Sequence, residues 1–203
     1  MQKRENRGTI VFCIAFSIYL ASMIFSASMF GIMTVCSVFL KLARYGAYAL
    51  MLWKIAIDTV FSLRQIERYV LCAVEILLVY YCTENKNLIF LFLMIIAVSD
   101  VCFSKILKTY IWTSGLCIGT VILFSTLDLI PLRDDFSEAR PRCALGFDFV
   151  TTGANFWMYL VLVYICYRRK RITWIEAGIL EIITYVFFAL TDTKNAFAIT
   201  TLA

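Results

Sequence analysis

Two polar segments of this chain hold the residue types that could carry out chemistry. Residues 131–152 combine arginines with carboxylates, and residues 191–195 read Thr-Asp-Thr-Lys-Asn. Guanidinium and ammonium groups bind phosphate oxygens, whereas carboxylates and amides hydrogen-bond to hydroxyl groups. Together these residue types suit a ligand that bears both phosphate and hydroxyl groups. The charged residues of the longer segment are Arg133, Asp134, Asp135, Glu138, Arg140, Arg142 and Asp148.

Each segment also has a purely structural interpretation. A charged loop is most often a solvated connection, and a Thr or Asp before a helix is an ordinary cap. The length of residues 131–152 favours function, because connections usually run about 4–6 residues and loops beyond about 12–15 are often functional. Asp135, Asp148 or Asp192 could act as a general base, although ion pairing with nearby arginines is the commoner role for such carboxylates. The sequence does not rank these carboxylates.

The composition places both segments in a membrane protein. Hydrophobic residues make up 62% of the 203 positions and charged residues 16%, against about 45–50% and about 25% in soluble domains. The apolar positions come in blocks that approach the roughly 20 residues a helix needs to cross about 30 Å of hydrocarbon. Lipid offers no hydrogen-bond partner to a bare backbone, and continuous apolar blocks exclude the alternating pattern of a barrel. The sequence therefore predicts an all-α, polytopic transmembrane helical bundle.

Polar breaks divide the chain into about seven complete spans and a partial eighth that begins at Ala196. We predict a single membrane domain over residues 1–203, with an extracytoplasmic loop at about 131–152. The short eighth block predicts that the chain is the N-terminal portion of a longer protein. The predicted complete spans are residues 9–30, 42–61, 69–82, 88–101, 106–130, 153–167 and 172–190.

The distribution of basic residues predicts the orientation of the bundle, because cytoplasmic loops carry an excess of Lys and Arg. With the N-terminus in the cytoplasm, eleven basic residues of the predicted loops lie inside and seven lie outside. Both polar segments are then on the outer side. Lys41 and Arg44 are the outward residues that fit the rule least. The net charge of +5 is thus mostly a topology signal, and nucleic acid is not an expected partner.

Lys54, Glu75 and Glu181 fall inside predicted spans, where a charge costs at least about 2.5–3.5 kcal/mol. Lys54 and Asp58 lie four residues apart on one helix face and can pair. We expect Glu75 and Glu181 to face the bundle interior and to hydrogen-bond across helices, with the lining of a transport cavity as the alternative. The chain has no histidine and no Cys-x-x-Cys pair, so neither a metal nor a cofactor is expected.

The order of short motifs after residue 141 resembles one protein family. Arg142 is followed by the pair Gly146-Phe147, by Asn155 near a helix start, by a basic turn and by TDTKNAF at 191–197. This order resembles the middle of Wzy-type polymerases of O-antigen or capsular polysaccharide. There, an arginine and a Gly-Phe pair precede a His-Pro-Asn-like segment, a basic cytoplasmic turn and a Thr-Asp-Ser-Arg-like motif. Residues 150–154 replace the His-Pro, and Lys194 replaces the last arginine, keeping its charge but not its planar fork.

The resemblance implies glycosyl transfer between lipid carriers in the bacterial cytoplasmic membrane. A growing glycan on undecaprenyl pyrophosphate is the donor, and a lipid-linked repeat unit supplies the attacking hydroxyl. The implied partners are this lipid-linked oligosaccharide, membrane lipids, and polysaccharide assembly proteins such as a chain-length regulator or a flippase. Activity is expected of the longer protein, because nothing in this chain corresponds to the family's second half. The implied catalytic residues are Arg142 and Asp148, and the implied substrate-binding residues are Arg140, Asn155, Asp192 and Lys194.

Two other functions fit the same features. An O-antigen ligase resembles the polymerase in fold and donor but passes the glycan to a different acceptor. A transporter or flippase for a lipid-linked glycan intermediate is the alternative from another class, and Glu75 and Glu181 are the residues that support it. Transporters are expected to show inverted repeats or paired broken helices, and the sequence shows neither.

Overall fold

The computed structural model of the protein describes residues 2–58, 63–83, 87–99, 101–130, 134–137, 140–169 and 172–202. Within these residues the chain is helical, as predicted, apart from one two-stranded hairpin. A 3-10 turn at Met29–Gly31 joins the first two helices. The elements are α1 (Gln2–Ser26), α2 (Thr34–Asp58), α3 (Leu63–Thr83), α4 (Asn87–Ala97), α5 (Phe103–Thr126), β1 (Asp134–Ser137), β2 (Arg140–Cys143), α6 (Val150–Arg168), α7 (Trp174–Thr191) and α8 (Lys194–Leu202).

Five of the helices, α1, α2, α5, α6 and α7, are long and apolar enough to cross a membrane. The 24 residues of α5, for example, extend about 36 Å at 1.5 Å per residue, which exceeds the roughly 30 Å of a hydrocarbon core. Large apolar side chains such as Trp112 and Leu116 are exposed on these helices, as expected for a surface that faces lipid. By contrast, the 11 residues of α4 extend only about 16 Å.

The helix order agrees with the predicted blocks, but the start of the second helix differs. We predicted that this span begins at residue 42, whereas α2 begins at Thr34. The chain reverses in a short turn because Gly31 approaches the end of α1 closely. A Cβ on Gly31 would lie 2.4 Å from the carbonyl oxygen of Ser26, a contact that only glycine avoids. Lys41 and Arg44 therefore lie within α2 and not in an outer loop.

Helix α1 contributes to both main hydrophobic clusters of the described residues. One cluster joins α1 to α5, α6 and α7, and includes the fully buried Val121 and Phe147. The other joins α1 to α2 and α4, and includes Phe12, Met51 and Phe90. Because α1 packs on both sides, it holds the two halves of the bundle together.

Two of the ionisable residues inside the helices bond to neighbouring helices. Lys54 is 1% exposed, and its Nζ donates to the carbonyl oxygen of Ala97, at the end of α4, over 2.6 Å. The side chain of Asp58, its predicted partner, lies outside the described residues. Glu181 accepts a hydrogen bond from Thr201 Oγ1 over 3.0 Å. This contact joins α7 to α8 and confirms that Glu181 bonds across helices.

Glu75 lies elsewhere than predicted. Its side chain is exposed on α3 and does not face the bundle interior. Helix α3 packs against α4 in the described part of the chain, so most of its surface, including Glu75, stays uncovered. The hydropathy pattern could not predict this, because it depends on which helices α3 contacts.

Candidate functional site

The long polar loop contains a β-hairpin. Strands β1 and β2 pair antiparallel, with Asp134 opposite Cys143 and Asp135 opposite Arg142. The sequence did not predict these strands, since each has only four residues and Pro141 lacks a backbone N–H to donate. The hairpin holds the backbone of Arg142 in an extended conformation beside β1.

The residues after the hairpin are bonded to the turn that follows α1. The backbone N–H of Met29 donates to the carbonyl oxygen of Gly146 over 3.0 Å. The backbone N–H of Asp148 donates to the carbonyl oxygen of Ala27, also over 3.0 Å. Ser28 and Phe147 form the antiparallel bridge between these two bonds. The candidate loop is therefore attached to α1 by backbone contacts, and Asp148 occupies a defined place at this end of the bundle.

The Gly-Phe pair is the anchor of this attachment. Gly146 has a φ of +81°, and a Cβ there would lie 2.9 Å from Cβ of Ser125 on α5. Phe147 is 0% exposed, with its ring against Gly153 of α6, where an added Cβ would come within 2.7 Å of the ring. Positive φ and close approach both require glycine. The sequence pointed to the Gly-Phe pair only through the family resemblance, and the role of Gly153 was missed.

Arg142 reaches across to the other polar segment. Its Nη2 lies 3.2 Å from Oδ2 of Asp192, and the two side chains are 38% and 26% exposed. Asp192 ends α7 in the left-handed conformation, φ 50° and ψ 37°, and its N–H donates to the carbonyl oxygen of Phe188. Aspartate tolerates this conformation better than most residues. The expected pairing of a carboxylate with a nearby arginine is thus confirmed for Asp192.

The Arg142–Asp192 pair positions groups more than it stabilises the fold. Partly exposed ion pairs contribute only about 0–1 kcal/mol. The Arg142 side chain remains 38% exposed beside this contact, so its guanidinium can offer further N–H donors to an anion. Its Nε is buried without a hydrogen-bond partner among the described residues and is not one of these donors. The pair connects residues 50 positions apart in the chain.

The other predicted site residues lie on neighbouring elements. Lys194 is the first residue of α8, Asn155 lies in the second turn of α6, and both side chains are exposed. Helices α6 and α8 pack together through Ala154, Met158 and Ala196, so these two polar groups share one region of the bundle. Arg140 is in β2, with its backbone opposite Ser137, and its side chain lies outside the described residues.

The site residues share one end of the bundle with Arg44. We call this end of the bundle the loop face. It consists of the connections that follow α1, α5 and α7. The backbone bonds of Gly146 and Asp148 join the first two connections, and the contact of Arg142 with Asp192 joins the third. Arg44, which fitted the topology rule least, donates from Nη2 to Ser26 Oγ over 3.0 Å at the end of α1. The poor fit of Arg44 to the topology rule was the only feature of the sequence that drew attention to this residue.

No protein-family model, curated protein or solved structure matches this chain. Within the part of the chain that the structure describes, no three His, Cys, Asp or Glu side chains gather as a metal site would. A functional assignment therefore depends on the motifs, the membrane helices and the geometry of the loop face.

Proposed function

We propose that this chain acts in a polymerase that joins undecaprenyl-pyrophosphate-linked repeat units into cell-surface polysaccharide. The observation that carries the proposal is the ion pair between Arg142 and Asp192. It brings together, from two distant segments, the first and the last of the motifs on which the family resemblance depends. Either segment alone would be an ordinary loop, whereas their contact forms a polar site beside apolar helices.

The proposed reaction transfers the growing glycan to a new acceptor. The bond between the anomeric carbon and the pyrophosphate oxygen of the donor breaks, and a bond to the acceptor hydroxyl forms. The lipid pyrophosphate leaves with the bonding electrons, and the hydroxyl proton passes to a base. Negative charge that develops on the leaving group is stabilised by positioned cations in a site that is partly shielded from water.

Arg142 supplies that cation in the proposed mechanism, because Asp192 orients its guanidinium while the partly exposed side chain leaves other N–H donors available. Asp148, which is bonded through its backbone to the end of α1, is the proposed general base. Lys194 and Arg140 add positive charge for the phosphates. Asn155 is proposed to hydrogen-bond the sugar hydroxyls.

The proposed topology has a cytoplasmic N-terminus and about seven spans in the bacterial cytoplasmic membrane. Five helices support it by length and composition, with α3 and α4 proposed as the remaining two. The loop face is then extracytoplasmic. Arg168 and Arg169 lie at the opposite end of α6 and begin the basic turn of the sequence, whose excess of positive charge agrees with a cytoplasmic position.

A transporter receives less support from the same contacts. Glu181 is engaged by Thr201, and Glu75 is exposed on α3, so the two carboxylates do not line one interior path in the described residues. The ligase shares donor and fold with the polymerase, and the products separate the two. A polymerase makes ladders of lipid-linked glycan, whereas a ligase transfers finished glycan to another acceptor.

The test is the substitution Arg142→Ala in the full-length protein, expressed in cells that lack their own copy. We expect glycan chains to shorten to one or a few repeat units on gels, because the leaving group loses its main cation. Arg169→Ala is the matched control, since Arg169 is an exposed arginine at the far end of α6. Long chains of unchanged distribution in the Arg142 variant would remove this residue from the site.

A further inference from the structure

A groove of about 440 Å³ lies between the N-terminal halves of α1 and α5. The two helices run parallel, because the residues that follow α1 bond to Gly146, and Ser125 at the other end of α5 packs against the same glycine. The groove is therefore on the side of the bundle opposite the loop face. It is lined by Cys13, Ile14, Ser17, Ile18, Lys108, Thr109, Trp112 and Thr113.

The hydroxyl groups in the lining are engaged within the protein. Thr109 Oγ1 donates to the carbonyl oxygen of Lys105 over 2.8 Å, and Thr113 Oγ1 donates to Ser17 Oγ over 3.1 Å. The second bond joins α5 to α1 and closes the floor of the groove. Selection of a ligand by polar contacts is therefore left to the charged residue of the lining.

That charged residue is Lys108, whose side chain is exposed. No carboxylate of the described residues pairs with it, so its ammonium keeps N–H donors for an anion. Lys108 lies five residues after α5 begins at Phe103, or about 8 Å along the helix. At this depth a lysine stem brings its ammonium to the level of the lipid headgroups.

The rest of the open surface is apolar. Ile14 is 49% exposed and the Trp112 ring 64% exposed, and Ile18 continues the same face of α1 one turn beyond Ile14. Tryptophan is enriched where a membrane meets water. The groove thus has a cation near the end of the helices and apolar side chains toward the middle of the membrane.

This order of groups favours a lipid over other occupants. A soluble anion could bind the ammonium but would leave the apolar side chains unused. A helix of another protein, or a second copy of this chain, would cover Lys108 and bury an unpaired charge, which is costly. A phospholipid in the same leaflet places a phosphate at the ammonium and hydrocarbon against the isoleucines.

We propose that the α1–α5 groove binds an anionic phospholipid of the leaflet on this side of the bundle. The headgroup phosphate is held by Lys108, and the upper parts of the acyl chains lie against Ile14, Ile18 and Trp112. The site is separate from the proposed transfer site at the loop face and does not rest on the proposed function.

The test measures lipid affinity of the purified protein in detergent by native mass spectrometry, with phosphatidylglycerol and with phosphatidylcholine of the same acyl chains. We expect the protein to bind phosphatidylglycerol at least about tenfold more tightly, because charge-assisted hydrogen bonds add to the apolar contacts. Lys108→Gln should remove this preference. Thr109→Phe, which fills the groove and keeps Lys108, should weaken binding of both lipids.

Lys105→Gln is the matched control, since Lys105 is an exposed cation of the same helix that does not line the groove. The same loss of preference in both lysine variants would mean that only general surface charge attracts the lipid, and would overturn the proposal. Equal affinity of the unaltered protein for the two lipids would overturn it too, as would unchanged lipid binding by Thr109→Phe. A loss of dimers in that variant, with lipid binding intact, would assign the groove to a second copy and also contradict the proposal.

Discussion

Replacement of Gly146 by alanine is the sharpest test of how the candidate loop is held. The residue has a φ of +81°, and a Cβ there would lie 2.9 Å from Ser125 Cβ and 3.0 Å from Ile130 Cδ1. The left-handed conformation costs a residue with a Cβ about 1–2 kcal/mol, and an added carbon in a close-packed site costs about 1–3 kcal/mol. We therefore expect Gly146→Ala to lower the free energy of unfolding by about 2–5 kcal/mol.

The assay is thermal unfolding of the protein in detergent, followed by tryptophan fluorescence at one scan rate. For a chain of this size about 1 kcal/mol corresponds to about 2–4 °C, so the midpoint should fall by at least about 4 °C. Gly119→Ala is the matched control, because a Cβ at this position of α5 meets nothing within 4 Å. There, the higher helix propensity of alanine should leave the midpoint equal or slightly higher.

Equal midpoints for Gly146→Ala and Gly119→Ala would refute the anchoring argument. They would mean that the loop adjusts to the added Cβ without any loss of stability, and that the hydrogen bond from Met29 to Gly146 does not fix the position of the loop. The Gly146 variant should also shorten the glycan chains in cells, since the same loop carries Arg142.

Two other substitutions separate stability from function. Phe147→Ala removes a ring that is 0% exposed and should lower the free energy of unfolding by about 3–5 kcal/mol. Phe103→Ala is the control, because this position is 62% exposed and its substitution should change the melting midpoint little. Similar midpoints for the two variants would contradict the anchoring role of Phe147. Asp192→Asn keeps a residue that tolerates the left-handed conformation but removes the charge beside Arg142, so glycan chains should shorten while stability falls by no more than about 1 kcal/mol. Chains of normal length on gels would show that this carboxylate does not orient Arg142.

The membrane helices follow from the sequence because burial in lipid depends on local composition. Blocks of apolar residues long enough to cross a bilayer appear in the sequence and form helices in the same order in the structure. The motif order from Arg142 to TDTKNAF is also a property of the sequence, and together with the charged residues of the loop before it this order supplied the predicted site residues. Glu181 could be predicted to bond across helices, because a carboxylate in an apolar helix needs a partner.

Several features depended on close approach between segments and could not be predicted. The early start of α2 depends on Gly31 lying against Ser26, and the exposure of Glu75 depends on which helices pack against α3. The hairpin of residues 134–143 forms by pairing of two short strands with no hydropathy signal of their own.

The contact of Arg142 with Asp192, the attachment of Asp148 to Ala27 and the position of Arg44 on Ser26 were decided by tertiary structure alone. The physical reason is that membrane insertion depends on the composition of one stretch of chain, whereas these polar contacts join residues from separate segments. Apolar blocks enter lipid whatever their neighbours are, so composition predicts that helices form and in which order, although in the described part of the chain only five of the seven predicted spans are long and apolar enough to cross a membrane. Polar side chains bond only where packing brings a partner within about 3 Å, and that distance depends on the whole bundle.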